Sequence, residues 1–209
     1  VDVLNYGQFE AYANRDSLSY REVYKLNDIP TLFRGTLRKP GYSEAWDLFV
    51  QMGMTDDSYE MDVSGMNYSD FFNSFIDVRN RDMKSYLKSH FRVSDDVISK
   101  VEWLGLFNQI NLDLEKGTPA QILQKILESK WLLQKEDKDM IVMQHQFIYE
   151  IEGKEHELHS SFVLLGEDQT YTGMAKTVGL PVGIATKLIL NGEIKSTGVR
   201  VPVSKEIYK

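Results

Sequence analysis

Two arginines near the N-terminus are the residues of this sequence best suited to chemistry, and that chemistry is the binding of an anion. Arg15 lies in a polar turn that follows a strand-like stretch, and Arg34 lies in the next strand-like stretch beside Gly35 and Thr36. A guanidinium group binds a carboxylate through two parallel hydrogen bonds, and a glycine lets a ligand approach the backbone. On local pattern alone both arginines would be surface residues. We nevertheless take Arg15, Arg34, Gly35 and Thr36 as the candidate site.

The distribution of charge favours a small anion as the ligand. The chain has 209 residues and a net charge of −7, but the stretch from Arg15 to Lys39 contains six basic and three acidic residues and is +3. A nucleic-acid-binding protein normally has a basic excess, so we expect no nucleic-acid partner. No uninterrupted apolar run approaches the roughly 18 residues of a membrane span, so we expect no membrane partner either.

Other catalytic and metal-binding chemistries find little support in the sequence. The chain has no cysteine, which excludes thiolate catalysis and cysteine zinc sites and makes a reducing compartment, the cytoplasm, the simplest setting. His145, His156 and His159 are close in sequence. A hairpin turn at Gly153-Lys154 would pair His145 with Phe162, however, and would leave His156 roughly 20 Å away at about 3.3 Å per residue. We therefore predict no metal site.

The sequence also lacks the patterns of a cofactor site and of a catalytic nucleophile. Gly173, Gly179 and Gly183 are too widely spaced for Gly-x-Gly-x-x-Gly and do not join a strand to a helix. Gly-x-Ser-x-Gly is absent as well. We interpret Glu167-Asp168 as acids at the start of a helix, complementing its dipole, in preference to a catalytic pair. No catalytic residue is assigned.

Hydrophobic periodicity predicts the elements that must position the arginines. The clearest signal is Thr118-Pro119-Ala120-Gln121, in which Thr118 caps a helix, Pro119 takes its first position and Gln121 completes a capping box. The order of elements indicates an α+β fold, a mixed and largely antiparallel sheet covered by helices, with residues 1–209 forming a single domain. We predict strands at 7–13, 31–38 and 141–165 (a hairpin). We predict a short helix capped by Ser17 or Ser19 that runs through Leu26, and further helices at 43–52, 71–76, 94–104, 118–127 and 170–190, the last broken or kinked at Pro181.

Three segments carry a resemblance to a known family. They are Tyr-Ala-Asn-Arg-Asp-Ser at 12–17, Phe-Arg-Gly-Thr-Leu-Arg-Lys-Pro-Gly-Tyr at 33–42, and Gly-Glu-Asp-Gln-Thr-Tyr-Thr-Gly-Met-Ala-Lys-Thr-Val-Gly-Leu-Pro at 166–181. In this order they resemble the glutamate-forming saccharopine dehydrogenases, which include the dehydrogenase half of bifunctional lysine-degrading enzymes. The middle of the chain, about 55–120, matches least.

The resemblance implies a role in lysine metabolism as part of an oxidoreductase. In that family a Rossmann domain binds NAD or NADP, while a second domain, similar to the C-terminal domain of glyceraldehyde-3-phosphate dehydrogenase, binds saccharopine and supports homodimer contacts. The enzyme oxidises the secondary amine of saccharopine to an imine, and water then releases glutamate and 2-aminoadipate 6-semialdehyde. This chain looks like a fragment containing the second domain without the Rossmann domain, and we expect it to be inactive alone.

The resemblance also implies a role for each candidate residue. Arg15 and the segment Arg34, Gly35 and Thr36 match the family's saccharopine contacts, and the three carboxylates of saccharopine suit two arginines. Family members often have cysteine where Ser43 stands, so any role of that cysteine is in doubt here. Two alternatives stay open, namely a non-catalytic amino-acid-binding or dimerisation module and a relative of the carboxynorspermidine dehydrogenases.

Overall fold

A computed structural model of the chain describes residues 1–77 and 82–208. The chain forms two compact units, one made of Val1–Leu37 with Leu133–Lys209 and the other of Arg38–Leu132. Helices and antiparallel strands occur side by side in the chain, so the predicted α+β class is confirmed. The prediction of a single domain over residues 1–209 concerns how the units fold and act together, and it stays a prediction.

The predicted helices and strands occur in the predicted order, although the N-terminal strands and the first helix are shorter than predicted. A helix at 83–91 and two short strands at 61–62 and 116–117 were not predicted. A 3-10 turn at Leu4–Tyr6 precedes the first strand. In chain order the elements are β1 Glu10–Ala13, α1 Tyr20–Val23, β2 Gly35–Arg38, α2 Tyr42–Met52, β3 Met61–Asp62, α3 Tyr68–Asn73, α4 Met83–Phe91, α5 Asp95–Trp103, β4 Lys116–Gly117, α6 Pro119–Trp131, β5 Met140–Ile151, β6 Lys154–Leu165, α7 Gly173–Leu190 and α8 Lys205–Tyr208.

The strands of the described ranges pair in twos instead of forming the one mixed sheet that the sequence indicates. β1 pairs with β2, β3 with β4, and β5 with β6. The N-terminal pair is short for a local reason. The N–H of Arg34 donates to the Ser17 hydroxyl at 3.1 Å, so a turn side chain takes the hydrogen bond that would have extended β2 toward Thr31. Arg34 therefore lies just before the strand in which the sequence placed it.

The long hairpin of β5 and β6 has a register two residues away from the predicted one. Glu152 and Gly153 form its turn with φ of +53° and +74°, the left-handed pair that a type I′ turn requires. Ile151 consequently pairs with Lys154, and His145 pairs with Ser160 instead of Phe162. The turn was predicted one residue too late. Because the resulting shift is even, each side chain keeps its predicted face of the hairpin.

The second unit contains the main apolar core, assembled from the predicted helices together with α4, which the sequence analysis did not predict, and the segments between them. The capping box at the start of α6 is confirmed, since the Thr118 hydroxyl accepts from the Gln121 N–H and the Gln121 side chain accepts from the Thr118 N–H. Ser94 caps α5, and Gly53 ends α2 in the left-handed conformation. The core residues with zero exposure in this unit are Leu48, Met54, Val63, Phe71, Phe72, Leu87, Val97, Val101, Leu106, Ile122 and Ile126.

Helix α7 is long, apolar and almost wholly exposed in the first unit. It runs unbroken from Gly173 to Leu190 with Pro181 inside it, so of the predicted break or kink the break is absent. The proline removes one hydrogen bond to the Thr177 carbonyl, and water can replace that bond because solvent reaches the helix. Among residues 1–77 and 82–208, α7 is the one helix whose length and composition would let it cross a membrane. One such helix is a weak indication, and the expectation of no membrane partner stays a prediction.

Candidate anion-binding site

The two arginine segments, separated in sequence, lie together in the first unit. The Asn14 N–H donates to the Arg34 carbonyl at 2.9 Å. The Thr36 hydroxyl donates to the Asn14 side-chain carbonyl at 2.8 Å, and the Ser17 hydroxyl accepts from the Arg34 N–H. The turn at 14–17 is thus fastened to the start of β2 by backbone and side-chain hydrogen bonds. Arg15 and Arg34 can therefore belong to one binding site.

The side chain of Arg34 is half-buried and held on two sides. Its guanidinium carbon lies 3.7 Å from the centroid of the Tyr20 ring, the geometry of a cation–π contact. Its Nη1 donates to the Asp16 carbonyl at 3.3 Å. A guanidinium has five N–H donors, and the described part of the chain supplies no other acceptor to this one. The edge formed by Nε and Nη2 is available to a ligand.

Arg15 is exposed and makes no hydrogen bond or ion pair with any residue of the described ranges. It follows β1 directly, in the turn that the sequence predicts. The backbone on both sides of it is tied down, since Asn14 contacts Arg34 and Thr36 and the Asp16 carboxylate accepts from the Ser19 N–H at 3.1 Å. A free cation on a fixed backbone is well suited to bind a carboxylate from solution.

Gly35 is needed for packing, whatever it does for a ligand. A Cβ at this position would lie 2.9 Å from the Phe33 ring and 3.0 Å from the Tyr12 carbonyl oxygen. The exposed Phe33 ring could turn aside, whereas the Tyr12 carbonyl belongs to the backbone of β1 and would have to give way. The packing of β1 and Phe33 around β2 is therefore sufficient to explain the glycine, while close approach of a ligand remains a prediction.

The carboxylate of Asp16 lies in this site. Hydrogen bonds from the Ser19 hydroxyl and then from the Ser19 backbone N–H lower the pKa of Asp16, and attraction to Arg34 contributes less. Asp16 is therefore ionised at neutral pH. The positive charges of Arg15 and Arg34 exceed this single negative charge, so the site as a whole attracts an anion.

The start of α7 depends on an aspartate that the sequence analysis missed. The Asp139 carboxylate accepts from the Gly173 N–H at 2.6 Å and from the Met174 N–H at 2.9 Å, and a Cβ at Gly166 would clash with it. Asp139 thus complements the helix dipole, the role that we gave to Glu167-Asp168. No local pattern could reveal it, because 34 residues separate Asp139 from Gly173.

Asp168 closes the loop before α7. Its carboxylate accepts from the backbone N–H groups of Thr170 and Tyr171, each at 2.7 Å. The Tyr171 bond, followed by the Thr170 bond, lowers the pKa of Asp168. Glu167 forms an ion pair with Lys176. The contacts of Glu167 and Asp168 therefore hold the loop before α7 in place, and a catalytic role is not needed to explain the two acids.

The start of α7 does not fit the pyrophosphate of a nicotinamide dinucleotide. A pyrophosphate binds at a glycine-rich turn that opens a helix, where free N–H groups point at the anion. Gly173, Gly179 and Gly183 all lie within α7. At its N-terminus the Asp139 carboxylate already takes the N–H groups and would repel a phosphate.

The histidines are also apart from the candidate site. His145 stacks on Phe147 and His156 stacks on Tyr149, while His159 contacts Glu157 at 2.6 Å. No group of His, Asp and Glu in the described residues could hold a metal ion. The prediction that the protein binds no metal stays a prediction.

Comparison with known proteins gives the sequence a family. A family model described as the saccharopine dehydrogenase C-terminal domain matches residues 1–209. The Saccharomyces cerevisiae protein named saccharopine dehydrogenase [NADP(+), L-glutamate-forming] is 32% identical over 95% of this chain and 47% of its own length. The Rattus norvegicus mitochondrial alpha-aminoadipic semialdehyde synthase is also 32% identical, over 95% of this chain and 22% of its own length.

A solved structure agrees with these matches. The apo histidine-tagged saccharopine dehydrogenase (L-Glu forming) from Saccharomyces cerevisiae is similar to this chain with a TM-score of 0.83 and 31% identity, over 95% of this chain and 47% of that one. The chain thus spans about half the length of the yeast relative and about a fifth of the rat relative. Because the family model covers all 209 residues, the chain belongs to the saccharopine dehydrogenase C-terminal domain family.

Proposed function

We propose that this domain binds saccharopine in an NAD(P)-dependent, glutamate-forming saccharopine dehydrogenase of lysine metabolism, and that Arg15 and Arg34, Gly35 and Thr36 contact the substrate. The observation that carries the proposal is the fastening of the turn at 14–17 to β2, which leaves Arg15 and one edge of Arg34 available to an anion. The name of the yeast relative, saccharopine dehydrogenase, supports the choice of substrate.

The proposed chemistry divides between this domain and the rest of the enzyme. The arginines bind carboxylates and fix the position of the secondary amine that is oxidised. NAD or NADP, which accepts the hydride, is proposed to bind a Rossmann domain outside these residues, in agreement with the poor fit of α7. We also propose that the fold is similar to that of the C-terminal domain of glyceraldehyde-3-phosphate dehydrogenase. The protein is further proposed to be located in the cytoplasm, and cell fractionation would test this location.

We further propose that the protein is a homodimer joined through one face of the long hairpin. That face presents large apolar side chains that are each 42–53% exposed, namely Met143, Phe147, Tyr149, Ile151, Leu158 and Phe162. The opposite face carries Gln144, Gln146, Glu150 and Glu157. The apolar face also carries His145, His156 and, at the turn, Lys154. A largely apolar face of this kind can pack on a copy of itself across a twofold axis.

Turnover assays with the full-length protein test the proposed function. Saccharopine with NAD or NADP should yield reduced nicotinamide and glutamate, whereas the 209-residue chain alone should yield neither. Binding of saccharopine to the full-length protein without turnover would favour a non-catalytic module. Turnover of carboxynorspermidine in preference to saccharopine would place the enzyme among the relatives acting on that substrate.

A further inference from the structure

The aromatic ring under Arg34 belongs to a residue that the sequence analysis did not consider. Tyr20 is the first residue of α1, which has four residues and buries none of them. Its ring is half-buried and lies 3.7 Å below the Arg34 guanidinium carbon. The Ser19 N–H donates to the Asp16 carboxylate, and this bond fixes the backbone immediately before Tyr20.

We infer that Tyr20 is a positioning residue, whose ring holds the Arg34 guanidinium in the orientation that binds a substrate carboxylate. This inference rests on the proposed function of the site. The ring covers one face of the guanidinium while the Asp16 carbonyl holds Nη1, so the plane of the group is set before the substrate arrives. The edge formed by Nε and Nη2, which binds a carboxylate with two hydrogen bonds, stays open.

Fixing the guanidinium in advance strengthens binding, because a free arginine side chain must lose its rotational freedom when the substrate binds. The ring face supplies this effect and the hydroxyl does not, since the contact is between the guanidinium carbon and the ring centroid. Removal of the ring should therefore weaken substrate binding and should leave the chemical step unchanged.

The experiment compares Tyr20→Leu, Tyr20→Phe and a matched control, Tyr42→Leu, in the full-length protein. Tyr42 lies below Arg38 at 5.2 Å, a contact of the same kind outside the proposed site. We expect Tyr20→Leu to raise KM for saccharopine about fivefold at nearly unchanged kcat, as the loss of a cation–π contact predicts. Tyr20→Phe should have the KM of the wild type, and so should Tyr42→Leu.

Three results would overturn the inference. They are an unchanged KM in Tyr20→Leu, a KM in Tyr20→Phe raised as far as in Tyr20→Leu, and an equal rise in Tyr42→Leu. If the wild-type protein does not turn over saccharopine, the proposed function fails, and the NMR resonance of the Arg34 Nε–H tests the positioning by itself. A ring-current shift present in the wild type and in Tyr20→Phe but lost in Tyr20→Leu supports it. The same shift in all three proteins overturns it.

Discussion

Arg15 and Arg34 differ in how far the protein itself uses their hydrogen-bonding capacity. Arg34 holds the Asp16 carbonyl and the Tyr20 ring, whereas Arg15 extends from a fixed backbone with no partner in the described ranges. Both are suited to bind carboxylates, but only Arg34 also connects the turn to β2. Substitutions of the two should therefore have similar effects on substrate binding and different effects on stability.

Replacement of Arg34 by alanine should raise KM for saccharopine by about 10- to 100-fold in the full-length protein, the expected result of losing a charge-assisted hydrogen bond of about 1.5–3 kcal/mol. It should also lower Tm, because the Tyr20 and Asp16 contacts are lost. Arg15→Ala should raise KM comparably at an unchanged Tm. Steady-state kinetics and thermal unfolding measure both effects. Unchanged kinetics in Arg34→Ala would remove this residue from the site.

The pKa of Asp16 gives the turn a dependence on pH. Because the folded-state pKa lies below that of an unfolded aspartate, its ionised form stabilises the turn fully above about pH 4, and this contribution is lost as the pH falls further. Ser19→Ala removes the hydroxyl that lowers the pKa most, so Asp16 should titrate at a higher pH in that variant. NMR titration of the carboxyl carbon measures it. Identical titration curves for the two proteins would contradict this cause.

At the scale of elements, Asp139 should control the start of α7. Asp139→Ala leaves the N–H groups of Gly173 and Met174 without their acceptor, and we expect a loss of about 1–2 kcal/mol in the free energy of unfolding. Asp139→Asn keeps one acceptor oxygen and should lose less. Denaturant unfolding of the 209-residue chain measures the difference. Equal stability of the alanine variant and the wild type would show that the helix does not depend on this carboxylate.

Elements whose signals are local were predictable from the sequence. The capping box of Thr118 and Gln121 closes within four residues, and Gly53 ends α2 by its own backbone conformation. The site was predictable only as residue types, because Arg15 and Arg34 stand out by chemistry and resemblance. Their connection through Asn14, Ser17 and Tyr20 depends on folding.

Elements whose geometry depends on distant contacts or on one backbone torsion were mispredicted. The hairpin register was missed because the turn requires a positive φ at Glu152, a residue type that rarely adopts one. The dipole acid of α7 was missed because Asp139 lies at the far end of the hairpin in sequence. β2 begins late because the Ser17 hydroxyl takes the Arg34 N–H.

At the scale of the molecule, the first unit leaves unusually much apolar surface uncovered. An isolated two-stranded hairpin is marginally stable in water, and β5 and β6 extend over twelve residues each. α7 is apolar apart from a side that carries Lys176 and Lys187, yet it is exposed along nearly its whole length. Stable protein interfaces bury about 800 Å² on each partner. The hairpin face and α7 together offer surface for such an interface.

The proposed dimer through the hairpin face predicts that Phe147→Lys disrupts association. Phe147 is 49% exposed on the apolar face, and its pairing partner Leu158 is 51% exposed, so a lysine there would bury an unpaired charge in the dimer. Ile148→Lys is the matched control, because Ile148 neighbours Phe147, is 69% exposed and lies on the opposite face. Sedimentation velocity of the full-length proteins should show a dimer for the wild type and Ile148→Lys, and a monomer for Phe147→Lys.

A dimer in all three proteins would place the contact elsewhere, with α7 as the next surface to test. A wild-type monomer would instead reject the homodimer and leave this face to another part of the same protein.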